Sequence, residues 1–307
     1  MINYSNFFLF FLLLGTFGNS STIQSPKKNV LVLGATGFVG QRICSRLSQN
    51  NDINIVGLSR RGTPDIDSSN GKVKYLSCDV GDEDALRSVC EDFGPKWDTI
   101  IHCCGLLFES EVNKFVSGSG SIPTPGVSTY DRVTRQTAFN AINVLESMKS
   151  IEDNSDDGEK RKINENKPTF IFVSAAEAGW EFEAPVEFLE RYLIAKRAVE
   201  SKLIESSSIR EVIVRPSLIY TLERPQALLS VIPFTIANAI GIPFVDKPVQ
   251  VDDLVETMYQ SIFDENIQGI LRYKRIEEIS GSNGCIASSA SSKSSSGNQD
   301  QRVKKKN

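Results

Sequence analysis

One histidine, His102, stands among 307 residues, and six cysteines (Cys44, Cys78, Cys90, Cys103, Cys104, Cys285) form neither a Cys-x-x-Cys pair nor a zinc-ligand spacing. The usual zinc frameworks are thereby excluded. Imidazole chemistry would rest on a single residue at a strand end, where a histidine is more often structural than catalytic. Most of the cysteines sit in apolar stretches, which reads as reduced, buried thiols rather than a disulfide framework. Strong charge of either sign is missing too. The formal net charge is −4, so no basic field points to nucleic acid. No apolar run reaches the roughly 20 residues that a spanning helix needs. The longest, from Phe7 to Phe17, has no charged side chain before Lys27, and small residues Gly18 and Ser20 follow it. It looks like a secretory h-region and lacks the arginines of a mitochondrial transit peptide. A membrane tether or a misassigned start codon would give the same pattern, and 1–26 is set apart from the fold. Repeats of the solenoid kind are absent.

What remains, 40% hydrophobic and 23% charged, suits a folded soluble core. It is organised around Asn29-Val30-Leu31-Val32-Leu33-Gly34-Ala35-Thr36-Gly37-Phe38-Val39-Gly40. A β-branched run ends in glycines three apart, and a helical pattern (Val39, Ile43, Leu47) begins at once. Gly34 allows the tight turn, Gly37 lets backbone approach a pyrophosphate, and Gly40 lets the helix pack closely on the strand. The N–H groups around Thr36, Phe38 and Val39 then face phosphates at the positive end of the helix dipole.

Further strands are expected over 53–58, 73–76, 99–105, 169–173 and 211–214. Helices are expected after Asp82, over 130–149, through Phe188, Tyr192, Ala195, Val199 and Leu203, and finally up to Phe263. Six strands alternating with helices predict an α/β fold, a Rossmann-type doubly wound parallel sheet with a small C-terminal substrate lobe. The division is an apolar targeting or anchor segment at 1–26, a nucleotide-binding domain at 27–279 whose substrate lobe is mainly 216–279, and a disordered polar tail at 280–307. Residues 106–129 read as a long loop and 151–167 as a solvated insertion. The broken apolar segment 228–245 would line a greasy cleft, dock on a bilayer or pack as a lobe helix.

Ligands bind such sheets at the carboxyl ends of the strands, where the glycine turn, Arg60, Asp79, His102, Ser174 and Pro216 fall. Strand two lacks the acid that would bond a ribose 2′-hydroxyl and carries Ser59, Arg60 and Arg61 instead. Guanidinium groups suit a 2′-phosphate, which favours NADPH over NADH. Asp79 and Val80 after strand three suit a contact to the adenine edge, and a solvated loop carboxylate reads equally well for Asp79. Tyr192 and Lys196, four apart on a helix, share a face, so the ammonium is expected to lower the phenol pKa and ready it for proton exchange with a substrate oxygen. Ser174, at the tip of strand five, would donate to that oxygen or hold the phenol; capping a turn is its plainer role.

Together with Arg215-Pro216-Ser217-Leu218-Ile219-Tyr220 and Val251-Asp252-Asp253, the glycine pattern and the Tyr192/Lys196 pair resemble the short-chain dehydrogenase/reductase superfamily, in its extended or atypical, epimerase/dehydratase-like branch. The likeness runs over about 29–263. Ser117-Gly118-Ser119-Gly120, Tyr130-Asp131-Arg132-Val133 and Phe188-Leu189-Glu190-Arg191-Tyr192 are similar to a mitochondrial subgroup. It includes an oxidoreductase-like protein of coenzyme Q biosynthesis and the NADPH-carrying accessory subunit of respiratory complex I. The resemblance implies Tyr192 as catalytic acid/base, Lys196 on the nicotinamide ribose, and Pro216 and Ser217 near the nicotinamide. It also implies a mitochondrial, inner-membrane-associated setting and a partner among respiratory or quinone-synthesis proteins. The apolar N-terminus points instead to a secretory or tethered location. Two departures stand out: Ser174-Ala175-Ala176-Glu177 where many members have a Ser/Thr-rich strand end, and Val133-Thr134-Arg135 where an asparagine commonly supports the proton relay. The expectation is an oxidoreductase for a hydrophobic carbonyl, alcohol or quinone-pathway intermediate, or else a non-catalytic NADPH-binding subunit. A nucleotide-sugar epimerase would need polar sugar contacts, against which the apolar 228–245 counts.

Overall fold

The computed structural model of the chain describes residues 27–64, 69–93, 96–109, 111, 113, 123–154, 167–221, 223 and 246–282. The leading apolar segment, the Ser117–Gly120 motif, most of the polar insertion, the apolar 228–245 and the tail beyond 282 lie outside them.

β1 (Lys28–Leu33) passes through the glycine turn into α1 (Phe38–Leu47), and β2 (Ile53–Ser59), β3 (Val73–Ser77), α2 (Glu83–Asp92) and β4 (Thr99–His102) follow. A π-helical turn at Asp131–Gln136 opens α3 (Thr137–Asn154), and then come β5 (Thr169–Val173), a 3-10 turn at Ala176–Gly179, α4 (Glu187–Glu205) and β6 (Arg210–Arg215). The short β7 (Ile219–Tyr220) and β8 (Val249–Gln250) lead to α5 (Val251–Phe263), β9 (Gly269–Arg272) and α6 (Tyr273–Ser280). Seven strands form one parallel sheet in the order β3-β2-β1-β4-β5-β6-β9, and β7 pairs with β8 apart from it. The order reverses between β1 and β4, the switch point at which an α/β sheet opens a crevice.

Strict alternation along the strands builds a core on each face. Val30, Val32, Ile55, Ile101, Ile171, Val212 and Val214 point to one side, against α1 and α5. Leu31, Leu33, Val56, Leu58, Ile100, Phe170, Phe172 and Ile213 point to the other, against α2, α3 and the last turns of α4. Both faces are covered, which is why the strands read as nearly continuous apolar runs.

Three local outcomes differ from the expected elements. The fourth strand ends at His102 rather than at 105. After Cys103 N–H bonds Leu33 O (2.9 Å), β1 turns away at Gly34 and the ladder has no further neighbour on that side. The helix expected from 130 starts as the π-helical turn. The seventh strand, β9, and α6 were not foreseen, because β9 is four residues long, opens on Gly269 and buries only Leu271 fully. β9 pairs with β6 and α5 packs on α1, so these two elements of 216–279 are built into the main layers. Arg210 ties them down: its guanidinium donates to Ile267 O (2.7 Å), Ser261 O (2.6 Å) and Thr169 Oγ1 (2.7 Å).

Candidate active site

The glycine turn is tighter than its spacing alone requires. Gly34 has φ +78°, and a Cβ there would meet the backbone of Cys103 and Cys104 at 3.0 Å. A Cβ on Gly40 would lie 2.1 Å from Gly34 O and 2.9 Å from Ala35 Cα, so the first turn of α1 rests directly on the loop beneath it. Gly37, the residue before α1, is extended, and a Cβ on it would approach only Gly34 O, at 3.1 Å. The N–H groups of Gly34 and Ala35 both bond Leu58 O, and Thr36 O accepts from Gln41 Nε2 (3.1 Å). α1 has neither a side-chain cap nor an acid in its first turn. By contrast Asp82 caps α2 through the N–H groups of Asp84 and Ala85, with Glu83 and Asp84 beside it. The first turn of α1 therefore carries no carboxylate of its own, and Phe38, Val39 and Gly40 offer its positive end as a cradle that a pyrophosphate fits.

At the end of β2, Ser59 donates to Gly62 O (2.9 Å) and Ser77 Oγ to Arg60 O (2.9 Å), which fixes the loop holding Arg60 and Arg61. Both arginines are exposed, and neither is paired with a carboxylate of the described residues. The Arg60 guanidinium pulls down on the Cys104 thiol, which burial nonetheless raises to about 12, so its charge is felt at the end of β4. Asp79 is engaged: Oδ1 accepts from Gly81 N (3.0 Å) and Oδ2 from Arg132 Nη2 (3.3 Å). Val80 is buried, and its carbonyl accepts from Asn140 Nδ2 (3.0 Å), a buried α3 residue that sequence reading passed over.

Tyr192 and Lys196 do share a face of α4, but they are not coupled as expected. Lys196 Nζ donates to Val173 O (2.6 Å) and lies 5.5 Å from the centroid of the Tyr192 ring. Burial lowers the lysine to about 8. The Tyr192 phenol is pushed up, not down, by burial first and then by the Glu177 carboxylate and Tyr130. The ammonium is spent on a strand-end carbonyl, and the charge the phenol feels is negative. Tyr192 packs edge-to-face on Tyr130 (5.5 Å) and joins two small apolar groups, one with Leu106 and Ala195, the other with Ala175 and Leu193.

Ser174 ends β5 with its N–H on Val214 O (2.8 Å), and its Oγ is buried with no partner among the described residues. A buried hydroxyl without a partner is costly unless a ligand or water completes it. Pro216 O accepts from Ala176 N (2.9 Å), which pins the 3-10 turn to the end of β6. Ser217 Oγ donates to Glu177 Oε1 (2.9 Å). Burial pushes the Glu177 carboxyl up against the effect of that bond. In the sequence, Glu177 showed only as a departure from a Ser/Thr pattern. His102 is fully buried at the end of β4, Nε2 on Thr137 Oγ1 (2.8 Å), and burial followed by the Lys196 charge lowers it to about 3. It is a neutral core residue.

Residues 30–114 match the model of the NAD dependent epimerase/dehydratase family. A stretch of 87 residues is 33% identical to the zebrafish (Danio rerio) methionine adenosyltransferase 2 subunit beta, covering 28% of this chain and only 23% of that one. An uncharacterized chloroplastic protein of Arabidopsis thaliana is 24% identical over 271 residues, 82% of this chain and 77% of its own. Among solved structures, ElxO with NADP bound superposes with a TM-score of 0.55 at 15% identity, over 80% of this chain and 96% of that one. The Thermus thermophilus UDP-glucose 4-epimerase complex with NAD gives 0.52 at 18%, over 82% and 83%. At such identities the structural likeness is one of fold. The chain thus has the fold of short-chain dehydrogenases and epimerases, and its residues 30–114 are similar to the NAD dependent epimerase/dehydratase family.

Proposed function

We propose that the protein is an NADPH-binding oxidoreductase of the atypical short-chain dehydrogenase type, working on a hydrophobic carbonyl or alcohol in mitochondrial quinone metabolism. One observation carries the catalytic half of this reading. The Ser174 hydroxyl, at the carboxyl end of β5, is buried with no partner among the described residues, and Tyr192 packs against the neighbouring Ala175. NADPH is favoured because Arg60 and Arg61, and no acid, stand where β2 ends. The quinone-pathway, respiratory-partner and inner-membrane setting rests on the motif resemblance alone.

A nicotinamide bound here would supply or accept hydride. Tyr192, its pKa raised, keeps its proton through neutral pH and is set to donate it to a substrate oxygen, which suits carbonyl reduction better than alcohol oxidation. Ser174 Oγ is free to donate to the same oxygen. Lys196, held on Val173 O, braces the end of β5. The apolar surroundings of Tyr192 exclude water and favour an apolar substrate. Purified protein with NADPH and a panel of apolar ketones and quinone-pathway intermediates should oxidise the cofactor. Tyr192→Phe should remove most of that activity, and an equally active variant would take Tyr192 out of the chemistry.

One feature favours a second reading, a non-catalytic NADPH-binding subunit. Lys196 is turned onto a backbone carbonyl, and alanines follow Ser174. That reading predicts stabilisation by NADPH without consumption, and recovery with respiratory or quinone-synthesis proteins. Imaging of an endogenously tagged protein tests the compartment: mitochondrial signal supports the proposal, and an endoplasmic-reticulum or surface signal ends it.

A further inference from the structure

The amino ends of the strands, about 20 Å from the glycine turn along the six residues of β1, carry a feature that the dinucleotide does not use. There the starts of β1, β2 and β3 and the end of α2 surround a cleft of 630 Å3. Lys27, Lys72 and Lys74 line it, over a floor that includes Val56, Phe93 and Trp97. Four asparagines, Asn29, Asn50, Asn51 and Asn54, complete its polar wall.

The charged groups that line this cleft are all of one sign. Lys72 Nζ donates to Asn51 Oδ1 (2.9 Å), a neutral amide, and Lys74 Nζ sits 4.0 Å from the centroid of Phe93. The Asn29 side-chain oxygen is taken by Asn54 Nδ2 (2.9 Å), and the Asn50 oxygen by Asp52 N–H (2.8 Å). Three of the four amide oxygens are thus filled from nearby. Three of the amide NH2 groups are engaged as well, Asn29 Nδ2 on Lys96 O (3.0 Å), Asn50 Nδ2 on the Tyr259 hydroxyl (3.1 Å) and Asn54 Nδ2 on Asn29, so the unused donors are chiefly the lysine ammonium groups. Among the described residues no carboxylate lines the cleft, and none of its three lysines is in an ion pair. The nearby acids stand outside the lining or face other groups. Asp52 lies outside the lining, and Asp98 is turned onto Asn29 N (2.8 Å). A chain of net charge −4 therefore gathers three lysines, none in an ion pair among the described residues, around one concavity.

We propose that this amino-end cleft is a second ligand site, for a small organic polyanion: a molecule with two or more phosphate or carboxylate groups and an apolar part that rests on Val56, Phe93 and Trp97. The site is separate from the dinucleotide crevice, and its occupation is independent of whether Tyr192 is catalytic.

The test is calorimetric titration of the full-length protein with sodium tripolyphosphate at low salt, which probes the charged half of the site. Binding should be lost at least about tenfold in Lys72→Glu/Lys74→Glu, which reverses two charges beside the anion. It should fall by about threefold or more in the milder Lys72→Gln/Lys74→Gln, which guards against misfolding of the first, and it should weaken as salt is raised. Every titration is run with saturating NADPH, which occupies the pyrophosphate cradle, and Lys274→Glu, a charge reversal on α6 away from the cleft, should bind like the parent. Failure to bind at 10 mM tripolyphosphate (about the weakest affinity a specific site of this charge would show) overturns the proposal. So does binding by both lysine pairs equal to the parent's, or binding that disappears once NADPH is present, which would put the anion in the glycine turn.

Discussion

Replacing Gly40 by alanine tests whether α1 really rests on the turn below it. The added methyl would sit 2.1 Å from Gly34 O, with Gly34 C and Ala35 Cα at 2.9 Å. All three are backbone atoms, so no side chain can swing aside, and helix and turn must part by about 1 Å to reach ordinary contact. Overpacking of this kind costs about 1–3 kcal/mol, and alanine returns about 1 kcal/mol of helix propensity. Because the obstruction is backbone on backbone, the upper part of that range applies. The net loss is about 2 kcal/mol, or about 4–8 °C in Tm for a chain of this size. Gly37→Ala is the matched control. Its φ of −79° and ψ of 174° accept any residue, and its Cβ would press only on Gly34 O at 3.1 Å. The unliganded Tm should barely move. NADPH at a hundred times its Kd should raise parental stability by about 2.7 kcal/mol, and Gly37→Ala should forfeit most of that rise, because its methyl stands where the phosphates approach. Thermal unfolding with and without NADPH reads both variants. Gly40→Ala as stable as the parent, or Gly37→Ala fully stabilised by NADPH, would refute the assigned roles.

His102 is the only histidine, so its titration is separable. The unfolded chain binds its proton near pH 6.5 while the folded imidazole does not until about 3, so stability falls as pH drops through that window. The loss traceable to it is about 2 kcal/mol at pH 5, and urea unfolding of His102→Gln, compared with the parent, should lack it. Lys196 is depressed to about 8 against an unfolded value of 10.5, so the unfolded state binds more protons between those pH values and stability rises with pH there. Lys196→Met should abolish about 1 kcal/mol of rise between pH 7 and 9, and a parent with a flat profile relative to the variant would contradict a buried ammonium. Replacing both Arg60 and Arg61 by alanine should weaken NADPH binding about tenfold or more while leaving NADH within about twofold, by fluorescence titration. Equal losses for both cofactors would assign the arginines a merely structural part.

The strands and the glycine turn were legible because their signals are local. Val30 to Leu33 and Phe170 to Val173 are apolar at every position, and glycine spacing reports backbone geometry within one loop. β9 was not legible, since Gly269 and an exposed Ile270 leave little apolar pattern in four residues. The π-helical turn before α3 was equally hidden, as nothing in Asp131 to Gln136 departs from helical spacing. At the site, identities were readable and couplings were not. Tyr192 and Lys196 were found on one face of α4, but what Lys196 bonds depends on Val173, a strand away in space. Likewise the bond from Ser217 to Glu177 joins residues 40 apart, and no spacing rule announces it.

The Arg210 guanidinium, gathering carbonyls from Ser261 and Ile267 and the hydroxyl of Thr169, has a consequence for dissection of the chain. Cut before Ser261, the protein would keep every residue of the glycine turn and the Tyr192 helix. Yet β6 would become a bare sheet edge and a buried cation would lose its acceptors. The nucleotide-binding portion is therefore not a detachable module: shortened versions made to isolate it should aggregate, and expression trials should preserve the chain through Ser280.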